Sequence, residues 1–218
     1  INLSLVSLLR EVGLDANPVV LSTRNNGRIL PGQCSANLLD HTIAVAKIDT
    51  TLYYMDASDA FSSVNLLPPQ NCNGTAIIVR KETYQAVELK QNQINGIHSH
   101  LNLTLDASGN VQGDGDLTFN DYGAWAKRWE IARAGSEKAF LEAWAGDKSG
   151  IEFSKSTIAP LDSNDMPLKI QLQGSFNGIV EQAGNLLLVS PWALDQEKEN
   201  PFTSATRDYP VEFYYPTV

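Results

Sequence analysis

A chain of 218 residues, 43% of them hydrophobic and 19% charged, has enough apolar material to bury a core. That excludes a disordered protein and allows one large domain or two small ones. Its 16 basic and 25 acidic residues leave a formal charge of −9, and Arg128 and Arg133 stand among Glu130 and Glu137 rather than in a basic patch, so no nucleic-acid partner is expected. No apolar run approaches the roughly 18–20 residues of a membrane-spanning helix.

The chain opens at Ile1 inside an amphipathic pattern. Leu3, Leu5, Val6, Leu8, Leu9 and Val12 recur at helical spacing, and Gly13 follows as a natural stop. A helix pattern that starts without an N-cap reads as a piece of a longer chain, with any leader upstream of it. Its apolar face, deprived of upstream packing partners, is expected to be covered by a second copy of the chain. A short strand follows over residues 17–22 (NPVVLS), broken by Asn25-Asn26-Gly27, where a residue at positive φ is expected. Residues 42–48 (TIAVAKI) and 51–55 (TLYYM) are strand-like on either side of Asp49-Thr50 and read as a β-hairpin. The first of them is apolar almost throughout, as a strand buried on both faces would be. Residues 57–67 are loop or short helix ended by Pro68-Pro69, and residues 75–79 and 86–89 are two more short strands.

The polar stretch from Lys90 to Asn95 reads as a joint. Beyond it, residues 97–105 and 112–119 alternate on either side of a turn at Ala107-Ser108-Gly109-Asn110. A helix then carries Tyr122, Trp125, Ala126, Trp129 and Ala132 on one stripe, with Asn120 or Asp121 as its cap. Gly135-Ser136 interrupts it, and a second helix with Phe140, Leu141 and Trp144 stops at Gly146. Strands at residues 167–173, 185–189 and 211–215 complete the pattern. The fold class is therefore α+β in two domains: residues 1–92, and a β-sandwich over residues 96–218 with a helical insertion near 121–146.

Histidine is scarce, with three in the chain, so each can be weighed. His41 opens the first buried strand and Asp56 ends the next. If the hairpin loop is the two residues Asp49-Thr50, paired positions sum to 99, while His41 and Asp56 sum to 97, which makes them diagonal neighbours on one face. Two readings of the pair stay open at this level. Asp56 can cap Ser58 at a strand end beside a half-buried structural imidazole. Alternatively it can fix the tautomer of a general base and stabilise its charged form.

Two stretches resemble a known family. NLSLVSLLREVGLDANPVVLSTRNNG at residues 2–27 is similar to the segment just after the nucleophile in bacterial transglutaminase-like proteins, and DHTIAVAKIDTTLYYMDASD at residues 40–59 resembles their His strand and Asp strand. The resemblance implies a papain-like arrangement with a Cys, His, Asp triad in that chain order. His41 then matches the general base and Asp56 its orienting carboxylate. The Cys would lie a few residues before Ile1, at the head of the opening helix, where the helix dipole lowers a thiol pKa. Residues 1–92 would thus be the C-terminal part of a transglutaminase-like core, inactive without that Cys, and relatives with an Ile-Asn-Leu opening include proteins that lack it. Residues 97–218 resemble the DUF3858-type β-domain that follows such a core in long Bacteroidetes-type proteins, through LTLDASGNVQGDGDLTF at 103–119, Tyr122-Gly123-Ala124 and NPFTSATRDYPVEFYYP at 200–216. The implied activity is acyl transfer or amide hydrolysis on a peptide or protein amide, with no cofactor, in a periplasmic or extracellular protein. The alternative is a catalytically inactive binding or structural module.

Other residues that carry chemistry fit less well. Cys34 precedes His41 but lies in the polar loop Pro31-Gly32-Gln33-Cys34-Ser35, with no helix N-terminus to stabilise a thiolate. A Cys34–Cys72 disulfide and two reduced structural cysteines are both open. His98 and His100 share a strand face without a third metal ligand at suitable spacing. Asp106, Ser108 and Asn110 fit the start of an EF-hand loop, but Val111 and Leu117 occupy the places that need Gly and Glu, so a solvated hairpin is expected. The spacing of Trp125 and Trp129 suits a helix core better than a stacking platform. Phe213, Tyr214 and Tyr215 alternate across their strand rather than lining one sugar-binding face.

Overall fold

A computed structural model of the chain describes residues 1–30, 36–90, 93–146, 150–190 and 194. Among the described residues strand outweighs helix, 45% to 25%, and the strands are mostly antiparallel, so the architecture is mixed α and β with sheets as its frame. The described residues form two compact units: Ile1–Gly96 with Asp121–Trp125, and Ile97–Asn120 with those that follow from Ala126 to Leu194.

The first unit begins with helix α1 (Asn2–Glu11). Gly13, at φ 88°, ends it: its N–H donates to the Arg10 carbonyl (2.9 Å) and the Leu14 N–H to the Leu9 carbonyl (3.0 Å), so the last turn is closed. Five antiparallel strands follow: β1 (Asp15–Leu21), β2 (His41–Ile48), β3 (Thr51–Met55), β4 (Gly74–Val79) and β5 (Tyr84–Leu89). Their spatial order is β3-β2-β1-β4-β5. Pro18 sits in the middle strand but opposite Ala44 only, before the β4 ladder begins at Val19, so the missing N–H leaves no gap there. The β2–β3 register, Ile48 against Thr51 through Ala44 against Met55, is the one that a two-residue loop dictates, and Asp49 takes the positive φ of that loop (53°).

Helix α1 uses less of its apolar side than its spacing implies. Val6 is buried and Leu5 and Leu9 are half-buried against Ala16, Ala44, Ala46 and Met55, while Leu3, Leu8 and Val12 face outward. The other face of the sheet packs Val19, Leu21, Ile43, Val45, Ala76, Ile78 and Leu89 under Leu67 and Cys72. Strand β2 is therefore covered on both sides, Ala44 and Ala46 by the helix and Ile43 and Val45 by this second cluster, as its unbroken apolar run requires. Leu52 and Tyr54 of β3 and Glu88 and Leu89 of β5 line one cavity of about 360 Å³, which brings the two edges of the sheet together as a curled half-barrel.

The second unit is built on a four-stranded antiparallel sheet. In chain order its strands are β6 (Asn95–Leu105), β7 (Val111–Asn120), β8 (Ile151–Ala159) and β9 (Leu168–Phe176), in the spatial order β6-β7-β9-β8. A two-stranded ribbon, β10 (Val180–Ala183) with β11 (Leu186–Val189), follows. Helices α2 (Asp121–Ala134) and α3 (Glu137–Gly146) lie between β7 and β8 in sequence, separated by Gly135 in the left-handed region. Among the described residues the expected β-sandwich is thus represented by one four-stranded sheet and a ribbon. The strand expected at residues 211–215 and the aromatic trio Phe213, Tyr214 and Tyr215 lie outside the described residues.

Strands β8 and β10 escape the sequence pattern. In β8 the register shifts between Phe153 and Lys155, so that half-buried Phe153 and buried Ile158 no longer share a parity and the alternation disappears. The bulge faces Gly174, whose added Cβ would lie 2.0 Å from the Glu152 carbonyl oxygen, and Gly174 itself pairs with Gly113. An aromatic chain runs from Phe140 and Trp144 of α3 through Phe153 to Phe176, with centroids 5.8, 5.8 and 6.2 Å apart. Buried Arg128 on α2 donates through one nitrogen to the carbonyls of Pro160, Ser163 and Met166 and so pins that loop.

Candidate active site

The ends of β2 and β3 and the head of α1 meet at one point. His41 is the first residue of β2, opposite Leu21, and Asp56 is the first residue past β3. The imidazole Nε2 lies 2.9 Å from Asp56 Oδ2. The two side chains are unequal partners: the carboxylate is 2% exposed and the imidazole 27%. One is buried with its charge; the other keeps an edge toward solvent.

A buried carboxylate is tolerable only when its lone pairs are filled, and here they are. Oδ1 accepts hydrogen bonds from Asn2 Nδ2 (2.7 Å), from the Ser58 N–H (2.9 Å) and from the Ser58 hydroxyl. Oδ2 accepts from Asn71 Nδ2 (2.7 Å) as well as facing His41. Burial pushes the Asp56 carboxyl up, but the hydrogen bonds from His41, Ser58 and Asn2 outweigh it and hold the group far below the usual carboxylate range. The ionised oxygen can only accept, so the proton in the contact sits on Nε2, and in the neutral ring the lone pair is on Nδ1. The Asp56 hydrogen bond raises the His41 pKa above 6.5 against the opposing effect of burial, and the charges of Asp56 and Asp40 add to the rise.

Each supporting residue arrives by a local route. Asn2 stands one turn before Val6 on the buried stripe of α1, and its amide makes three links: to Asp56, to the Thr42 carbonyl (2.8 Å), and from the Ala57 N–H (2.8 Å). The helix head is thereby tied to both strands. Asn71 ends a 3-10 turn, Pro69–Asn71, whose entry is fixed by Pro68-Pro69 and by the Tyr122 hydroxyl donating to the Leu67 carbonyl (2.8 Å). Asn73 then donates to the carbonyls of Ser22, Thr23 and Gly27, which fastens the loop after β1 to the same corner.

Asp56 caps Ser58 and also meets His41, so the two contacts expected of it occur together. Asn2 and Asn71 were not singled out from the sequence. Asn2 left a signal, as a polar residue on the buried stripe of an amphipathic helix. Asn71 left none, because its approach to Asp56 depends on the path of the whole 56–73 loop.

Cys72 is a free, buried thiol whose pKa burial pushes up to about 11, the reverse of an activated nucleophile. Cys34 lies outside the described residues. His98 and His100 are exposed on β6, and among the described residues no group of three or more His, Cys, Asp or Glu side chains could hold a metal ion. Asp106 accepts from the N–H groups of Ser108 and Asn110 and from the Asn110 amide, a self-closed turn rather than a cation loop. Trp125 packs edge-on to Tyr122 and donates to Asp59 (3.0 Å), while Trp129 lies under Arg133. No helix is long and apolar enough to cross a membrane among the described residues.

Comparison with protein-family models, with curated proteins and with solved structures finds no match to this chain.

Proposed function

We propose that the first unit is the base-bearing part of a transglutaminase-like, papain-like cysteine site, with His41 as general base and then acid and Asp56 as its orienting carboxylate. The observation that supports this most is the tie between Asn2 and Asp56 (2.7 Å), which holds the head of α1 beside an imidazole whose Nδ1 is available. A cysteine just before Ile1 would stand at that helix head, where unpaired N–H groups favour a thiolate. In the reaction, Nδ1 takes the thiol proton while sulfur attacks the carbonyl carbon of an amide. The tetrahedral species collapses as His41 returns that proton to the leaving nitrogen, which departs as an amine. Water or a second amine then opens the thioester, giving hydrolysis or acyl transfer.

The substrate is a peptide or protein amide, and no cofactor takes part. The same reading makes the second unit a DUF3858-type β-sandwich domain, and the protein an exported one, periplasmic or extracellular. The outward apolar residues of α1, Leu3, Leu8 and Val12, are assigned to contact with a second copy, which light scattering tests directly.

The decisive experiment alkylates the parent protein with iodoacetamide across pH and follows turnover of a peptide amide, with and without His41→Ala. A thiol preceding Ile1 that reacts below the usual thiol pKa of about 8.5, with turnover reduced at least ~10²-fold in the variant, is the expected result. No thiol there, or alkylation indifferent to His41, contradicts it. That outcome favours the second reading, a catalytically inactive binding or structural module.

A further inference from the structure

Five donors converge on the carboxylate at this site. An ionised carboxylate offers about four acceptor positions. Asn2, the Ser58 N–H and the Ser58 hydroxyl already hold Oδ1, and His41 meets Oδ2. Asn71 goes to the same oxygen as His41, so these two donors divide the lone pairs of Oδ2 between them, while Oδ1 carries the other three. We propose that Asn71 is a positioning residue that shares Asp56 Oδ2 with His41 and so limits the charge the imidazole receives, setting the basicity of Nδ1. The proposal deepens the acyl-transfer reading and takes from it only the idea that Nδ1 has to accept a proton near neutrality.

The physical reasoning is a competition. A carboxylate raises the pKa of an imidazole by stabilising its charged form, and every other donor on that carboxylate weakens the effect. Donors on Oδ1 act at one remove, whereas a donor on Oδ2 acts on the oxygen that the ring touches. Asn71, itself 2% exposed, delivers its amide from a 3-10 turn that begins at Pro69 and is preceded by Pro68. The charged groups facing the ring are Asp56 past β3 and Asp40 before β2. Asp40 is held by the N–H and hydroxyl of Thr23, both at 2.7 Å. Arg24, on the loop after β1, donates from Nε to the Cys72 carbonyl (3.3 Å). Asp56 is thus the carboxylate in direct contact with the ring, and Asn71 is the group placed to divide its charge.

The test is an NMR titration of the His41 ring in the full chain, assigned with a His41→Ala variant to separate it from His98 and His100. Asn71→Ala leaves Oδ2 to the imidazole alone and is expected to raise the His41 midpoint by roughly half a pH unit. Ser58→Ala, which removes a donor from the far oxygen, should raise it less. A midpoint that stays put or falls toward 6.5 in folded Asn71→Ala overturns the proposal and makes Asn71 mere scaffolding. If that variant does not fold, Asn71→Ser, whose shorter donor reaches Oδ2 poorly, is read by the same criterion. The titration needs no nucleophile, so a failed alkylation experiment leaves this result standing, and a failed titration leaves the alkylation experiment to speak for itself.

Discussion

At the scale of single residues, the site is organised around one negative charge kept out of water. Asp56 is the group everything else serves, since Asn2, Ser58, Asn71 and His41 all converge on its two oxygens. Replacing it with Asn keeps the shape but sets an amide NH₂ against other donors, and breaking a buried pair in this way is expected to cost about 3–5 kcal/mol, read by urea denaturation. The charge also gives stability a pH dependence with two edges. His41 has its pKa raised above 6.5, so its contribution is complete below 6.5 and is lost as pH rises through the higher folded-state value. Asp56 has its pKa lowered from 3.8, so its contribution is complete above 3.8 and is lost as pH falls toward the lower folded-state value. Stability of the first unit should therefore be greatest between about pH 4 and 6.5, and Asp56→Asn should flatten both edges. A wild-type profile with no alkaline fall would contradict the pairing of His41.

At the scale of elements, the β2–β3 hairpin was the most legible part of the molecule. A two-residue loop leaves one register, and that register puts His41 and Asp56 on one face, so their meeting could be read from spacing alone. Helix α1 was half legible. Its length and its stop at Gly13 followed from pattern and glycine, but the pattern could not tell Val6, which is buried, from Leu8, which is 66% exposed. Val6→Ala should accordingly cost about 1–2 kcal/mol and Leu8→Ala less than about 0.5, a contrast that thermal denaturation resolves. Strand β8 was illegible because its bulge changes parity in mid-strand, and a period of two cannot be recognised across such a shift. Likewise, nothing local in Asp121–Trp125 distinguishes it from the rest of α2. That Tyr122 and Trp125 serve the loop carrying Asp59 and Leu67 depends on contacts more than 50 residues away in sequence.

At the scale of the whole molecule, the two units answer to different constraints. The first brings buried Asn2, Asp56 and Asn71 together at one corner of a curled sheet. In the second, glycines let neighbouring strands approach closely at β7 and β9. A Cβ at Gly174 would meet the Glu152 carbonyl oxygen at 2.0 Å, so Gly174→Ala should destabilise the second unit by about 2–4 kcal/mol. The same change should leave the His41 titration unmoved; a shifted titration would mean that the units are coupled more tightly than two separate cores imply. The account as a whole rests on an imidazole whose Nε2–H donates a hydrogen bond to a buried anion and whose Nδ1 is unprotonated in the neutral ring. The ¹⁵N spectrum of the His41 ring above its midpoint measures that state directly. The expected result is a protonated Nε2 and an unprotonated Nδ1, with a midpoint above 6.5 that Asp56→Asn abolishes. A proton on Nδ1, or a midpoint that Asp56→Asn does not change, would contradict it.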